Sequence, residues 1–337
     1  MSAAPSAIDI HTHVVPENFP AYAGMGGGAQ WPSMAPAQAC HKHVSLNGSV
    51  YRTVSHQCWD CAVRSADMAA MAVSRQVLSP MPELLSYWIP LEDGRAMCRY
   101  LNEIIAEFVA LEPARFAGLG AVPLQNVDAA IAELDHARHA LKLAGVEIGT
   151  NVNGVAIGDA RFEPFFAAAE AMGAAIFVHP LRPCGMDRLV GPALLEQVLA
   201  FPGETALAAA SMITGGTLAR HPKLRIAFSH GGGSLQALLP RLQHGWKTFA
   251  KLRDEAAIEP VAAARSMYYD SLVYDAASLR RVLEVFGATQ VMVGSDYPFA
   301  IMDKRPLDGI QALALDDANR ELLLWKNASR WLGESPH

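Results

Sequence analysis

Positive charge is in short supply in this 337-residue chain: 27 Lys and Arg stand against 33 Asp and Glu, a net charge of -6. It has no basic block of the kind that grips phosphate backbones, which argues against nucleic acid or an anionic membrane surface as the main partner. A small anionic substrate stays open, because an acidic surface can enclose a basic pocket. Cysteine is sparse and odd in number, at positions 40, 58, 61, 98 and 184. That argues against a disulfide framework and fits a reducing compartment. Cys58-Trp59-Asp60-Cys61 is a lone C-x-x-C with no second pair. It is read as ordinary thiols rather than a zinc ribbon or a redox motif. No apolar run reaches bilayer length, and the longest, residues 165–178, is interrupted by Glu170. Residues 1–5 carry neither a basic nor a long apolar segment of signal-peptide type. The expectation is a soluble, cytoplasmic protein.

What is present is apolar and evenly spread. Hydrophobic residues make up 51% and charged ones 18%, which excludes a disordered chain. The 26 Gly and 21 Pro form no low-complexity tract, and no solenoid repeat is visible. Short apolar runs at residues 7–13, 75–79, 115–122, 144–149, 174–179, 224–230, 267–271 and 290–295 predict eight strands. They lack polar alternation, as strands buried on both faces should. Helical periods lie between most of them, at residues 94–111, 127–143, 164–172, 194–218, 235–252 and 277–286. Eight βα units in one chain predict an α/β fold, a (β/α)8 TIM barrel. A doubly wound open sheet is the alternative architecture. Residues 1–337 are read as one domain.

Two segments fall outside the repeat. Residues 14–60 are too long for a simple βα connection. Within them Asn47-Gly48 separates two short alternating segments, the strongest local signal for a hairpin. The segment is read as a lid-like insertion after the first strand. Residues 307–337 are read as a C-terminal helical extension packed outside the barrel.

Polar residues gather where the apolar runs stop. The first run ends in His11-Thr12-His13, the fifth in His179-Pro180, the sixth in Ser229-His230-Gly231-Gly232-Gly233, and the eighth in Ser295-Asp296-Tyr297-Pro298. In a strand, positions i and i+2 share a side, so His11 and His13 can meet one ion. All four features lie at the strand ends where barrel enzymes keep their sites. Imidazoles with one carboxylate suit Zn2+ or a similar divalent ion.

This combination resembles the amidohydrolase superfamily, and within it the aminocarboxymuconate-semialdehyde decarboxylase branch. The resemblance is carried in order by Ile8-Asp9-Ile10-His11-Thr12-His13, Tyr51-Arg52-Thr53-Val54, Cys58-Trp59-Asp60, Leu78-Ser79-Pro80-Met81-Pro82, Ser86-Tyr87-Trp88, Ser229-His230-Gly231-Gly232-Gly233, His244-Gly245-Trp246 and Gly294-Ser295-Asp296-Tyr297-Pro298-Phe299. It implies that His11, His13, His179 and Asp296 bind one Zn2+, with a water completing the shell, and it counts Asp296 among the catalytic residues. His230 would be the acid/base rather than a ligand. Arg52 and Arg241 would bind substrate carboxylate, Arg241 across the interface of a homodimer, and Trp88 would contact the substrate. The implied activity is zinc-dependent, non-oxidative decarboxylation of 2-amino-3-carboxymuconate 6-semialdehyde or a close analogue, in aromatic-acid catabolism. A related hydroxybenzoate decarboxylase, or a hydrolase of the same superfamily acting on an amide, lactone or C–N bond, is the alternative. A catalytically dead binding protein is a third reading.

Two positions depart from the family pattern. Leu181 and Arg182 follow His179-Pro180 where the family has an aromatic residue, which bears on the substrate. Glu147 lies on the strand where two-metal relatives carry a bridging lysine; it is read as a structural carboxylate beside a single ion. His41, His43 and His56 are read as surface or lid histidines, and Asp270 as a residue that orients a ligand or accepts structural hydrogen bonds.

Overall fold

The computed structural model describes residues 7–24, 28–192 and 194–334. Eight parallel strands form the barrel: β1 (Ile8–Val14), β2 (Arg75–Pro80), β3 (Phe116–Gly120), β4 (Gly145–Gly149), β5 (Ala175–His179), β6 (Arg225–Phe228), β7 (Tyr268–Asp270) and β8 (Val291–Met292). They neighbour one another in chain order. Parallel bridges Asp9 to Val293 and Thr12 to Tyr297 bring the last strand back to the first. The eight apolar runs are these eight strands, and the barrel rather than the open sheet is the outcome.

The principal helix following each of the first seven strands is α1 (Cys61–Ala70), α2 (Leu91–Leu111), α3 (Val127–His139), α4 (Glu163–Ala171), α5 (Phe201–Thr214), α6 (Leu235–Thr248) and α7 (Ala276–Phe286). Side-chain caps start several of them: Asp60 accepts from Ala62 and Val63 N–H, Asn126 from Ala129 N–H, and Asp275 from Ser278 N–H. The long helical period over 194–218 is broken into a π-helical turn (Glu196–Ala200), α5 and a short helix (Thr217–Arg220). Residues 235–252 are likewise interrupted at Phe249, which adopts an extended conformation.

A bulge in β1 aims the first two histidines. Its pairing with β2 runs from Asp9 opposite Gln76 to Thr12 opposite Leu78, one extra residue on β1. Below the bulge Ile8 and Ile10 pack with Val77, Ala117, Leu119, Ala175 and Phe177 inside the barrel. Above it the inward positions become His11 and His13. Arg64 on α1 is fully buried beneath this turn, donating to Gln76 Oε1 and to the carbonyl of His13.

Three antiparallel strands, Ser33–Pro36, His41–Leu46 and Ser49–Ser55, form a separate small sheet in the 14–60 segment. Asn47 and Gly48 turn the hairpin with φ of 53° and 74°, the positive pair a two-residue turn requires. The tail corrects one expectation. Trp331, on the final helix Asn327–Leu332, is fully buried in the cluster of inward barrel residues, 6.3 Å from the Phe177 ring. Its indole N–H donates to the carbonyl of Arg225, where β6 begins. The tail therefore closes the barrel's N-terminal end instead of lying only on its outside.

Candidate metal centre

At the opposite end, His11 and His13 from β1, His179 from the end of β5 and Asp296 after β8 present ligand atoms that all lie within 4.8 Å of one another. All four side chains are buried. The tautomers follow from their outer partners. His11 Nδ1 lies 2.7 Å from Asp270 Oδ2, His13 Nδ1 3.0 Å from the carbonyl of Pro80, and His179 Nδ1 3.0 Å from the carbonyl of Pro180. Oxygens of these kinds accept, so each Nδ1 carries a hydrogen and each Nε2 is the atom turned to the common centre. His11 Nε2 and His13 Nε2 approach to 3.1 Å, and Asp296 Oδ1 lies 3.5 and 3.2 Å from them. His179 Nε2 and Asp296 Oδ1 have no hydrogen-bond partner. Converging lone pairs and unpartnered buried acceptors are the arrangement a divalent cation relieves. The donor set fits one ion.

Burial would raise the Asp296 carboxyl, but His13 beside it and the other neighbouring imidazoles bring it down to about 2. His13 and His179 are pulled below the ordinary imidazole range, chiefly by burial. Three of the four donors are thus deprotonated at neutral pH, as ligation needs; His11, which burial would lower but the Asp270 hydrogen bond and nearby carboxylates raise to about 9, gives up its Nε2 proton to bind an ion.

Asp270 ends β7 and is saturated. Besides His11 it accepts from the N–H groups of His230, Gly231 and Leu272. Asp270→Asn is expected to lower metal affinity about ten- to a hundredfold, by disturbing the His11 tautomer. Metal titration of the apoprotein reads this directly, and unchanged affinity would contradict it.

His230 stands apart from the four. Its backbone is in the left-handed region, φ 56°, with its N–H held by Asp270, and its ring centroid lies 5.2 Å from those of His11 and His179. Ser229 Oγ is 3.1 Å from its Nδ1. Burial draws its pKa down to about 4, so the ring is neutral at pH 7.

These groups open into a cavity of about 350 Å3 lined by His179, His230, Asp296, Arg52, Glu83, Phe201 and Phe299, among others. Arg52 reaches it from the hairpin. Its guanidinium lies 4.1 Å above the Phe299 ring, and among the described residues it pairs with no carboxylate. Phe299 in turn stacks on His13 at 5.0 Å.

Other sequence-predicted residues fall elsewhere. Trp88 lines an adjoining cavity of about 230 Å3, with its face covered by the Arg182 guanidinium at 3.4 Å. Leu181 lines that second cavity too. Arg241 is exposed on α6 and borders neither cavity. Glu147 is fully buried, 3.7 Å from His13 Nδ1, and burial pushes its carboxyl well above the usual range. His41 and His43 bond locally within the small sheet, to the Ala39 carbonyl and Thr53 Oγ1. Phe201 and Glu83 were not signalled by sequence. Phe201 places its ring 6.0 Å from His179, an aromatic surface beside the site that Leu181 does not supply.

The amidohydrolase family pattern matches residues 8–333. The chain belongs to the amidohydrolase family. Within this family it is 35% identical to the 2-amino-3-carboxymuconate-6-semialdehyde decarboxylase of Dictyostelium discoideum, over 98% of this chain and 92% of the relative. The IDCase of Metarhizium anisopliae shares the amidohydrolase-type barrel with a TM-score of 0.82 at 20% identity, covering 98% of this chain and 97% of the other. The dihydroxybenzoic acid decarboxylase of a Polaromonas species, solved with bound manganese and 2-nitroresorcinol, shares it with a TM-score of 0.71 at 21% identity, covering 80% and 85%.

The C-x-x-C thiols have no part in this amidohydrolase site. Burial lifts Cys58 to about 12, and burial with the Glu112 carboxylate lifts Cys61 to about 11. At pH 8 the Cys58 thiolate fraction is on the order of 10⁻⁴. In the folded protein iodoacetamide should therefore label the exposed Cys40 and Cys184, and reach Cys58 and Cys98 only after unfolding. Peptide mass spectrometry checks this; labelling of native Cys58 would contradict it.

Proposed function

We propose that this amidohydrolase-family protein is a metal-dependent, non-oxidative decarboxylase of an unsaturated or aromatic carboxylic acid, with 2-amino-3-carboxymuconate 6-semialdehyde or a close analogue as substrate. The observation that carries the reading is one cavity lined by three kinds of group: His179 and Asp296 of the four-residue donor set, the neutral imidazole of His230 outside that set, and the unpaired guanidinium of Arg52. The decarboxylase names of the relatives support it.

His11, His13, His179 and Asp296 would hold one divalent ion, Zn2+ on the chemistry of three imidazoles and a carboxylate. The manganese in the Polaromonas relative makes that ion the first competitor to test. When bound, the ion supplies Lewis-acid polarisation and stabilises developing negative charge. Arg52 binds a carboxylate of the substrate; its planar fork suits two parallel hydrogen bonds, and Phe299 holds its plane. His230 is the proton carrier. As substrate binds, the neutral ring takes up a solvent proton, which it then delivers to the carbon that bears the reacting carboxylate. The bond from that carbon to the carboxylate then breaks, its electron pair returns to the conjugated system, and CO2 leaves. Asp270 fixes the loop that carries His230 by accepting from the His230 and Gly231 N–H groups.

The sheet of residues 33–55 acts as a lid that delivers Arg52. Arg241, exposed on its own subunit, serves the site of a partner copy in a homodimer, and Trp88 contacts a distal part of the substrate through the second cavity. No helix among the described residues is long and apolar enough to cross a membrane, and a cytoplasmic enzyme acting on a small anionic substrate fits this reading.

The reaction in D2O separates this account from hydrolysis. Decarboxylation leaves one deuteron on the carbon that lost CO2, whereas hydrolysis adds the elements of water and releases no CO2. Arg52→Ala is expected to raise KM about ten- to a hundredfold, from the loss of a charge-assisted hydrogen-bonded pair. Arg52→Lys should recover only part of it. Steady-state kinetics read both; an unchanged KM would remove Arg52 from the binding site.

A further inference from the structure

The cavity contains an acid that the chemistry above does not use. Glu83 sits on the short helix Pro82–Leu85 that follows β2, and its residue surface is only 8% exposed. Tyr51 O–H donates to its Oε1. Its Oε2 has no hydrogen-bond partner. Glu83 lines both the metal cavity and the adjoining one, and shares the wall between them with Phe201. A buried carboxylate with an unmet acceptor is costly, and its presence in a substrate cavity calls for an explanation.

The obvious local partner is not used. Arg52 adjoins Tyr51 and lines the same metal cavity, yet no ion pair joins Arg52 to Glu83; the guanidinium lies over Phe299 instead. The hairpin is built to present both neighbours. Val44 pairs with Arg52 while Ser45 pairs with Val50, so Tyr51 is the extra residue of a bulge. In a regular strand Tyr51 and Arg52 would point to opposite faces. Here Tyr51 reaches Glu83 while Arg52 reaches the metal cavity. The cavity thus offers a cation and an anion separately, each left unneutralised by the other.

We propose that Glu83 is a specificity-determining residue: it recognises an N–H or O–H donor carried by the substrate, while Arg52 takes a carboxylate. The ligand class is a planar carboxylic acid bearing an amino or hydroxyl group. The terminal torsion of a glutamate is soft, so the carboxylate can turn toward such a donor without moving its helix. The inference rests on the substrate-acid reading above. The competing role is mechanical, with Glu83 merely anchoring Tyr51 and the hairpin.

Binding rather than turnover tests it. Metal-loaded protein is titrated by calorimetry with the ring isomers of aminobenzoate and hydroxybenzoate, each against the methylbenzoate of the same position. Methyl matches amino and hydroxyl in size but donates nothing. In the wild type at least one position should favour the donor by about tenfold or more. Glu83→Leu should bring that ratio close to one, and Glu83→Gln, which keeps an acceptor but loses the charge, should cut it several-fold. Tyr51→Phe, which removes the anchor but keeps the acid, should preserve it. Should Glu83→Leu fail to fold, Glu83→Gln carries the comparison. No donor preference in the wild type, a ratio unchanged in the Glu83 variants, or an equal loss in Tyr51→Phe would overturn the proposal. A donor preference that depends on Glu83 in a protein releasing no CO2 from any acid would sink the decarboxylase reading and leave this one standing.

Discussion

His179→Ala is expected to strip the metal from the protein and to lower CO2 release by at least about a thousandfold. The metal's electrostatic contribution amounts to several kcal/mol of transition-state stabilisation, and each ~1.4 kcal/mol is a factor of ten. His179 supplies one of four donors, and its Nε2 has no other partner. Its ring is fixed from outside by the Pro180 carbonyl, so it reaches the centre already oriented. The variant should remain folded. His179 borders the open cavity, and truncating it enlarges that space rather than creating an enclosed void. Metal analysis, circular dichroism and CO2 release on one preparation test all three statements. Full metal content with full activity would remove His179 from the centre.

His230→Ala should behave differently, keeping one ion per chain while losing about a hundred- to ten-thousandfold in CO2 release. The imidazole is neutral at pH 7 because burial outweighs the pull of the Asp270 and Asp296 carboxylates, so it can take up and pass on a proton. It is also held outside the donor set. The left-handed backbone at His230 and the positive φ of Gly231, Gly232 and Gly233 wrap the loop around Asp270, and Gly231 donates to Asp270 directly. A glycine is needed at 233, where a Cβ would lie 2.0 Å from the Pro202 carbonyl oxygen. Loss of metal together with activity in His230→Ala would overturn this division of roles.

Sequence and structure agree most closely where apolar runs meet polar stops. The eight strands are legible because burial on both faces leaves them uniformly apolar, and His11, His13, His179, His230 and Asp296 are legible because they end such runs. Helix α1 is not, since among its buried residues are Arg64 and Met68, and an arginine reads as a surface residue. Arg64 is buried only because the carbonyl of His13 and the side chain of Gln76 are waiting for it, contacts about fifty and twelve residues away. The tail misleads for a similar reason. Nothing local distinguishes Trp331 on an outer helix from Trp331 at the base of a barrel. Glu83 and Phe201 carry no motif, and they become part of the site through the crossing of loops after β2 and β5. Trp88 shows the reverse: a motif residue that the fold sets in the wall of the second cavity, with the Arg182 guanidinium on its ring, rather than beside the four metal donors.

The most direct test measures CO2 release from freshly prepared 2-amino-3-carboxymuconate 6-semialdehyde as a function of metal occupancy, with a protein-free control for spontaneous cyclisation. The apoprotein should be inactive, and the rate should rise in proportion to bound Zn2+ or Mn2+ and level off at one ion per chain. CO2 release by the metal-free protein, or none from protein shown to hold one ion when this acid and hydroxybenzoate acids are offered, would contradict it.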